Sequence, residues 1–206
     1  MNYIAQRSSE WHEQRNGRFT ASEIHKILGI KGLNKTGETY SFEKAIETLF
    51  GEVESNYVSY DMQEGIETEP LAFEKFKQLK NLDFLKVEKC GFFKYENHAG
   101  ASPDGIVSDN AVLEIKCPKA KTFFKIVVSN EIDVQYYAQM QMQMLATGTD
   151  KAYFFNYLIH EGEEYWHQKI VERDEDFILK IKERLAEAIE LKCKFINLIE
   201  KNKQWN

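Results

Sequence analysis

Ser102-Pro103-Asp104-Gly105, followed by Leu113-Glu114-Ile115-Lys116-Cys117-Pro118, is the stretch on which the reading of this chain turns. Within it, Gly105-Ile106-Val107 and Ala111-Val112-Leu113 are short apolar, β-branched runs that read as two strands of a hairpin. Side chains alternate along a strand, so Glu114 and Lys116 share one face. Leu113, Ile115 and Cys117 share the other, which is expected to face the core. Where Asp104 falls depends on the turn. A three-residue loop, 108–110, centres the pairing on Asp109 and sets Asp104 opposite Glu114 on the same face. A two-residue loop shifts the register by one and sends the carboxylates to opposite faces.

In the first register two carboxylates converge. Charges that close raise each other's pKa unless a cation lies between them, and hard oxygen donors in a partly hydrated site suit Mg²⁺ or Mn²⁺. The backbone carbonyl of Ile115 is a third candidate oxygen. Lys116 is placed to orient or deprotonate an attacking water while a metal stabilises charge on a phosphoryl oxygen, the chemistry of phosphodiester hydrolysis. A carboxylate and a lysine two apart on a strand are common. The Ser-Pro-Asp-Gly segment before them and the Cys117-Pro118 stop after them sharpen the pattern.

Outward from the hairpin, residues 91–95 read as a further strand, and 68–80 as a helix with Pro70 in its first turn and Phe73, Phe76 and Leu79 on its apolar face. Ser41 is expected to cap a helix reaching about Phe50. Thr20-Ala21-Ser22-Glu23 has capping-box spacing and opens a short helix through Ile24, Ile27 and Leu28 that stops at Gly29. After the hairpin come a helix over 132–146, strands over 152–158 and 165–172, and a long amphipathic helix over 175–198. This order predicts a mixed α/β (α+β) fold around one sheet. No repeat, low-complexity tract or linker divides the 206 residues, so residues 1–206 read as a single domain.

Composition, 43% hydrophobic and 29% charged, is that of a globular chain. No run approaches the roughly 18 apolar residues of a membrane span, so no membrane partner is expected. The polar start, Met1-Asn2-Tyr3-Ile4-Ala5-Gln6-Arg7, is unlike a secretory signal and points to an intracellular protein. Cys90, Cys117 and Cys193 are widely spaced without a C-x-x-C pair, against a disulfide framework, a structural zinc or an iron–sulfur cluster, and are expected to be buried thiols. A net charge of −6 does not advertise nucleic acid. Locally the balance differs. Lysines 116, 119, 121 and 125 form an acid-free run, and residues 1–35 carry six basic against three acidic side chains. Such clusters are polyanion contacts or ordinary solvated faces.

Further motifs occur in order: Trp11-His12-Glu13-Gln14-Arg15-Asn16-Gly17 with Thr20-Ala21-Ser22; Gly65, Glu69 and Ala72; the hairpin; Ala138-Gln139-Met140-Gln141; and Glu172-Arg173-Asp174-Glu175. Together they resemble, nearly end to end, the lambda-exonuclease or YqaJ-type viral recombinases of the PD-(D/E)XK nuclease superfamily. The resemblance implies a restriction-endonuclease-like mixed central sheet flanked by helices. It implies Mg²⁺, or Mn²⁺, held by Asp104, Glu114 and the Ile115 carbonyl, with Glu69 supporting the site or a second ion and Lys116 serving the water. Gln139 matches the glutamine of a Q-x-Q motif near the scissile phosphate. By residue pattern alone, Glu69 is equally a first-turn glutamate favouring the helix dipole, and Gln135, Gln139 and Gln143 equally a solvent-facing stripe at i+4 spacing.

Arg15 and Ser22 match residues that hold a terminal 5′-phosphate, with Ser102 as helper; a helix start and a guanidinium fork both suit an anion. Met62 falls where the family places an apolar wedge between bases, and Lys119 and Lys121 are candidate DNA contacts. The implied activity is a 5′→3′ exonuclease on double-stranded DNA ends, releasing 5′ mononucleotides and leaving 3′ strands for phage-type recombination. The implied setting is a homotrimeric ring, with a phage single-strand annealing protein as partner, in the cytoplasm of a bacterial host cell. A ring lets local basic segments line a channel while the outside stays acidic. Alternatives are an endonuclease or repair nuclease of the same superfamily, or a non-catalytic DNA-end-binding module. Two departures are Pro70, directly after Glu69, and a short stretch between Lys116 and Gln139.

Overall fold

A computed structural model describes residues 6–51 and 60–202, with side chains described from residue 65 in the second stretch. The hairpin closes through residues 108–110, between β5 (Gly105–Val107) and β6 (Ala111–Lys116), with Gly105↔Leu113, Ile106↔Val112 and Val107↔Ala111 paired. Asn110 takes the left-handed conformation, φ +63°, which a short polar side chain tolerates and three-residue hairpin loops favour. The loop is pinned from the next strand, where the Tyr153 hydroxyl donates to Asp109 at 2.6 Å and Lys151 pairs with Asp109 at 2.8 Å.

Before the hairpin the chain forms α1 (Ser9–Arg15), β1 (Phe19–Thr20), a 3₁₀ helix (Ala21–Ile27), α2 (Lys35–Phe50), α3 (Tyr60–Leu82), β2 (Val87–Glu88), β3 (Phe93–Tyr95) and β4 (Ala99–Ala101). After it come α4 (Ala120–Ser129), α5 (Val134–Thr147), β7 (Lys151–His160), β8 (Glu163–Glu172) and α6 (Glu175–Lys201). The central sheet runs β2-β5-β6-β7-β8, parallel only between β6 and β7. A smaller sheet runs β1-β4-β3. The central sheet is the mixed sheet flanked by helices that the sequence predicts, whereas the strand expected at 91–95 falls in the smaller sheet, so the strands do not form the one sheet expected.

On one face of the central sheet, Phe73 and Phe76 of α3 meet Leu113, Ile115 and Phe155. On the other, Met140 and Met144 of α5 meet Val112 and Phe154. Each large apolar side chain buried this way contributes about 1.5–3 kcal/mol. β6 is therefore covered on both faces, as strands beside a parallel partner usually are. The face of Leu113 and Ile115 lies in the core as expected, and the face of Glu114 is covered too, Glu114 being only 3% exposed. Gly105 is needed sterically: a Cβ there would lie 3.0 Å from the Glu88 carbonyl oxygen and 3.2 Å from the Phe73 ring.

Helix starts differ from the sequence reading. α3 begins at Tyr60, so Pro70 lies in its interior, and burial of Ala72, Phe73 and Phe76 just beyond it offsets the roughly 3 kcal/mol an interior proline costs. α2 is capped by Asn34, while Ser41 is buried inside it with its hydroxyl donating to the Gly37 carbonyl at 2.8 Å. Thr20 makes no capping bond; its hydroxyl meets Ser22, Glu23 pairs with Lys26, and the segment winds as a 3₁₀ helix. The sequence reading assigned no element to α1, α4, β1, β2 or β4. These strands, two or three residues long, are too short for alternation to register. Among the described residues no helix is long and apolar enough to cross a membrane.

Candidate active site

Pairing between β5 and β6 ends at Gly105↔Leu113, and Asp104 extends it with its side chain. Its N–H donates to the Leu113 carbonyl at 2.9 Å, and its Oδ2 accepts the Ile115 N–H at 2.7 Å. Asp104 is thus locked at the sheet's edge by the strand that carries Glu114. The N–H and C=O of one strand residue project to the same side, so the Ile115 carbonyl also faces Asp104. Burial first, then the charges of Glu114 and Glu69, hold the Asp104 carboxyl well above its usual range, against the opposing pull of the Ile115 N–H and Lys116. Negative charge here exceeds what the protein neutralises.

Glu114 is gripped on both oxygens. Gln139 Nε2 donates to Oε1 at 2.7 Å, Gln143 Nε2 donates to Oε2 at 2.5 Å, and Lys116 Nζ pairs with Oε1 at 2.6 Å. Lys116 also donates to Gln139 Oε1 at 3.4 Å and lies 4.9 Å from the centre of the Tyr136 ring. Burial would lower the Lys116 pKa, but Glu114 and then Asp104 outweigh it, and the ammonium is held above its ordinary value. The glutamines are not a solvent stripe. Gln139 and Gln143 are 8% and 0% exposed, and only Gln135 faces water.

Glu69 stands apart from this grip. Its carboxylate pairs with Arg7 at 2.6 Å, although its charge still reaches Asp104. Among the described residues no three His, Cys, Asp or Glu side chains gather as a metal cage. A pair of neighbouring carboxylates with a backbone carbonyl on the same side is instead the hard oxygen set that suits a partly hydrated divalent cation such as Mg²⁺. The nearby thiols are not nucleophiles: burial, with Asp104 or Glu69 adding to it, pushes Cys90 and Cys117 up to about 12.

A second cluster lies beside the first. The Arg15 guanidinium stacks on the Trp11 ring, 4.1 Å from its centre, and reaches Ser22 Oγ at 3.4 Å. The Trp11 Nε1–H donates to Ser102 Oγ at 2.8 Å. The indole therefore links Ser102 to Arg15, which in turn reaches Ser22, joining three separate segments. A cleft of about 600 Å³ opens here, lined by Trp11, Arg15, Ser22, Lys26, Tyr40 and Lys44 among others.

The family model for the YqaJ-like viral recombinase domain matches residues 10–150, which hold both clusters. This chain belongs to that family. The alkaline exonuclease LHK-Exo from Laribacter hongkongensis is 26% identical, with a TM-score of 0.83 over 97% of this chain and 100% of that one. LHK-Exo in complex with dAMP gives 27% and 0.82 over the same shares. A phage-related exonuclease from Haemophilus somnus 129PT has the same fold at 20% identity, with a TM-score of 0.67 over 92% of this chain and 98% of that one. Among curated proteins none matches. Family and near full-length likeness make the chain an exonuclease-type enzyme.

Other expected site residues of this YqaJ-family enzyme lie further out. Lys119 and Lys121 are exposed at the start of α4. Met62 belongs to α3, but its side chain lies outside the described residues. The Glu172–Glu175 motif lines a separate groove of about 750 Å³ and is tied up structurally: Arg173 donates to the Met144 carbonyl at 2.7 Å, and Asp174 caps α6. Sequence reasoning gave no role to Trp11, Arg7 or Gln143. For Trp11 the available signal was its position four residues before Arg15 on one helical face, a spacing at which a ring and a guanidinium meet.

Proposed function

We propose that this YqaJ-family chain is a divalent-metal-dependent exonuclease that digests double-stranded DNA from 5′ ends, releasing 5′ mononucleotides and leaving 3′ strands for phage-type recombination. The observation that carries the reading is the adjacency of the two clusters. Ser102 and Asp104, two residues apart, are at most about 7 Å from each other along the chain, comparable to one nucleotide step. LHK-Exo binding dAMP, a mononucleotide, agrees with such a product.

In this reading Arg15, Ser22 and Ser102 bind the terminal 5′-phosphate, and the next phosphate falls at Asp104 and Glu114. These two, with the Ile115 carbonyl, would hold Mg²⁺ or Mn²⁺, and Glu69 adds negative potential from α3. When bound, the ion stabilises charge on the phosphoryl oxygen and makes a water more acidic. Lys116, kept as an ammonium, orients the attacking water or the phosphate rather than removing a proton. Gln139 holds Lys116 and Glu114 in register. The water oxygen joins phosphorus and gives up a proton to solvent, the P–O3′ bond breaks, and the departing O3′ takes a proton from solvent. The strand left behind carries a new 5′-phosphate, so each turnover recreates the group that Arg15 recognises.

The enzyme works as a single nuclease domain in a homotrimeric ring in the host cytoplasm, with Lys119 and Lys121 towards the DNA, Met62 as a wedge at the duplex end, and a phage single-strand annealing protein receiving the 3′ strand. Linear duplexes labelled at either end, incubated with and without Mg²⁺, test the reading. The 5′ label should leave first and only with metal, while closed circular duplex stays intact. Release of the 3′ label first, or cutting of closed circles, overturns it.

A further inference from the structure

We infer that Gln143 is a positioning residue of the active site, fixing the Glu114 carboxylate for a divalent cation; this rests on the reading of Glu114 as a metal ligand. By itself the Glu114 carboxylate would not be fixed in orientation. Its side chain has rotatable bonds, it is almost wholly buried, and Lys116 already holds one oxygen at 2.6 Å. An ion pair on one oxygen leaves the carboxylate free to pivot about that contact. Gln143 closes that freedom from the other side. One helical turn beyond Gln139, it donates to Oε2 while Gln139 donates to Oε1, so α5 clamps the carboxylate plane at two points.

Gln143 serves little else. Its Oε1 is buried with no hydrogen-bond partner, its neighbours on α5 include the core residues Met140 and Met144, and it is fully buried. A buried acceptor with no donor costs stability, whereas an apolar side chain at this position would extend the methionine core. The amide's one described side-chain contact is therefore its bond to Glu114. Residues that hold a ligand in this way tune metal affinity strongly, and their loss typically weakens metal binding 10- to 100-fold.

The test is binding of Mn²⁺ alone to the full-length, metal-stripped protein, by calorimetry and by the rise in melting temperature with added Mn²⁺. Wild type, Glu114→Ala, Gln143→Met and Gln143→Asn are compared, with Gln135→Leu as an exposed control on the same helix. Gln143→Met conserves volume and matches its neighbours, so it should fold. Gln143→Asn keeps the amide but is one methylene short of Glu114. Both Gln143 variants are expected to bind Mn²⁺ about 10- to 100-fold more weakly, with cooperative melting retained and Gln135→Leu unchanged. Wild-type Mn²⁺ affinity in either Gln143 variant, while Glu114→Ala loses binding, overturns the role of Gln143 and leaves the metal reading standing. Equal Mn²⁺ affinity of wild type and Glu114→Ala overturns both.

Discussion

At the residue scale the site concentrates unlike demands on a few side chains. Asp104 and Glu114 are packed against sheet and helix, and burial together with its acidic neighbours raises the pKa of Asp104, so this is where function and stability pull apart. Asp104→Ala and Glu114→Ala should each abolish nearly all metal-dependent hydrolysis while the chain still melts cooperatively, because each removes an oxygen ligand and little core packing. Lys116→Ala should be inactive yet still bind Mn²⁺; wild-type turnover in any of the three shows the site to be wrongly placed. Asp104 also sets a pH dependence. Its folded pKa is raised, so its contribution to stability is fully present below the unfolded value and is lost as pH rises through the folded one. Asp104→Asn, which keeps an oxygen for the Ile115 N–H, should therefore melt higher than wild type at neutral pH in EDTA. Its advantage should shrink as pH falls towards 4, and an advantage that grows on acidification contradicts this account. Arg15→Ala should slow 5′-phosphorylated duplex towards the 5′-hydroxyl rate, since charge-assisted bonds of about 1.5–3 kcal/mol each correspond to roughly tenfold per 1.36 kcal/mol. Equal wild-type rates on the two ends would remove the phosphate pocket.

At the element scale, the placement of α1 decides whether the terminal cluster exists. α1 ends at Arg15, and the turn that follows passes through Gly17, whose φ of +69° favours glycine and where a Cβ would lie 2.5 Å from Thr48 Oγ1. The same residue is held through its backbone: its N–H donates to Glu47 at 2.9 Å, and its carbonyl accepts from the buried Lys192 at 2.6 Å. Gly17→Ala should cost about 1–3 kcal/mol in urea denaturation and lower the preference for 5′-phosphate, because the helix carrying Trp11 and Arg15 turns at this point. Trp11→Phe isolates one contact, keeping a ring under Arg15 but removing the donor to Ser102. A neutral hydrogen bond of about 0.5–1.5 kcal/mol predicts a loss of roughly two- to tenfold in the rate on 5′-phosphorylated duplex; no change would mean that the indole only packs. The hairpin shows what local chemistry can decide by itself. Asn110 suits the left-handed turn position, and a three-residue loop brings Asp104 to the Glu114 end of the strand pair. Pro70 shows the opposite, since a proline that locally reads as a helix start lies inside a longer helix anchored by the sheet.

At the scale of the whole molecule, an acidic chain of net charge −6 must handle a polyanion, and the proposed ring answers this by gathering basic side chains inside. Sedimentation should find an assembly of three 24.2 kDa chains, and digestion of long duplexes should weaken as salt rises, because each lysine–phosphate contact releases counterions. A monomer that remains processive would rule the ring out. By itself the sequence determined the hairpin, the mixed order of helices and strands, the acidic pair with its lysine and the family, because period, turn residues and motif spacing are properties of neighbours along the chain. Tertiary structure decided what surrounds those residues. Trp11 and Ser102 are 91 positions apart, and Gln143 and Glu114 are 29 apart. Their hydrogen bonds exist only because α1 packs near the approach to β5 and α5 packs across β6. Neither residue's local pattern distinguishes such a partner from solvent: a glutamine at i+4 spacing looks the same on a wet face as on one pressed against a buried carboxylate. Burial is set by the sum of packing across the sheet, which is why Gln143 read as surface and stands at the centre of the site.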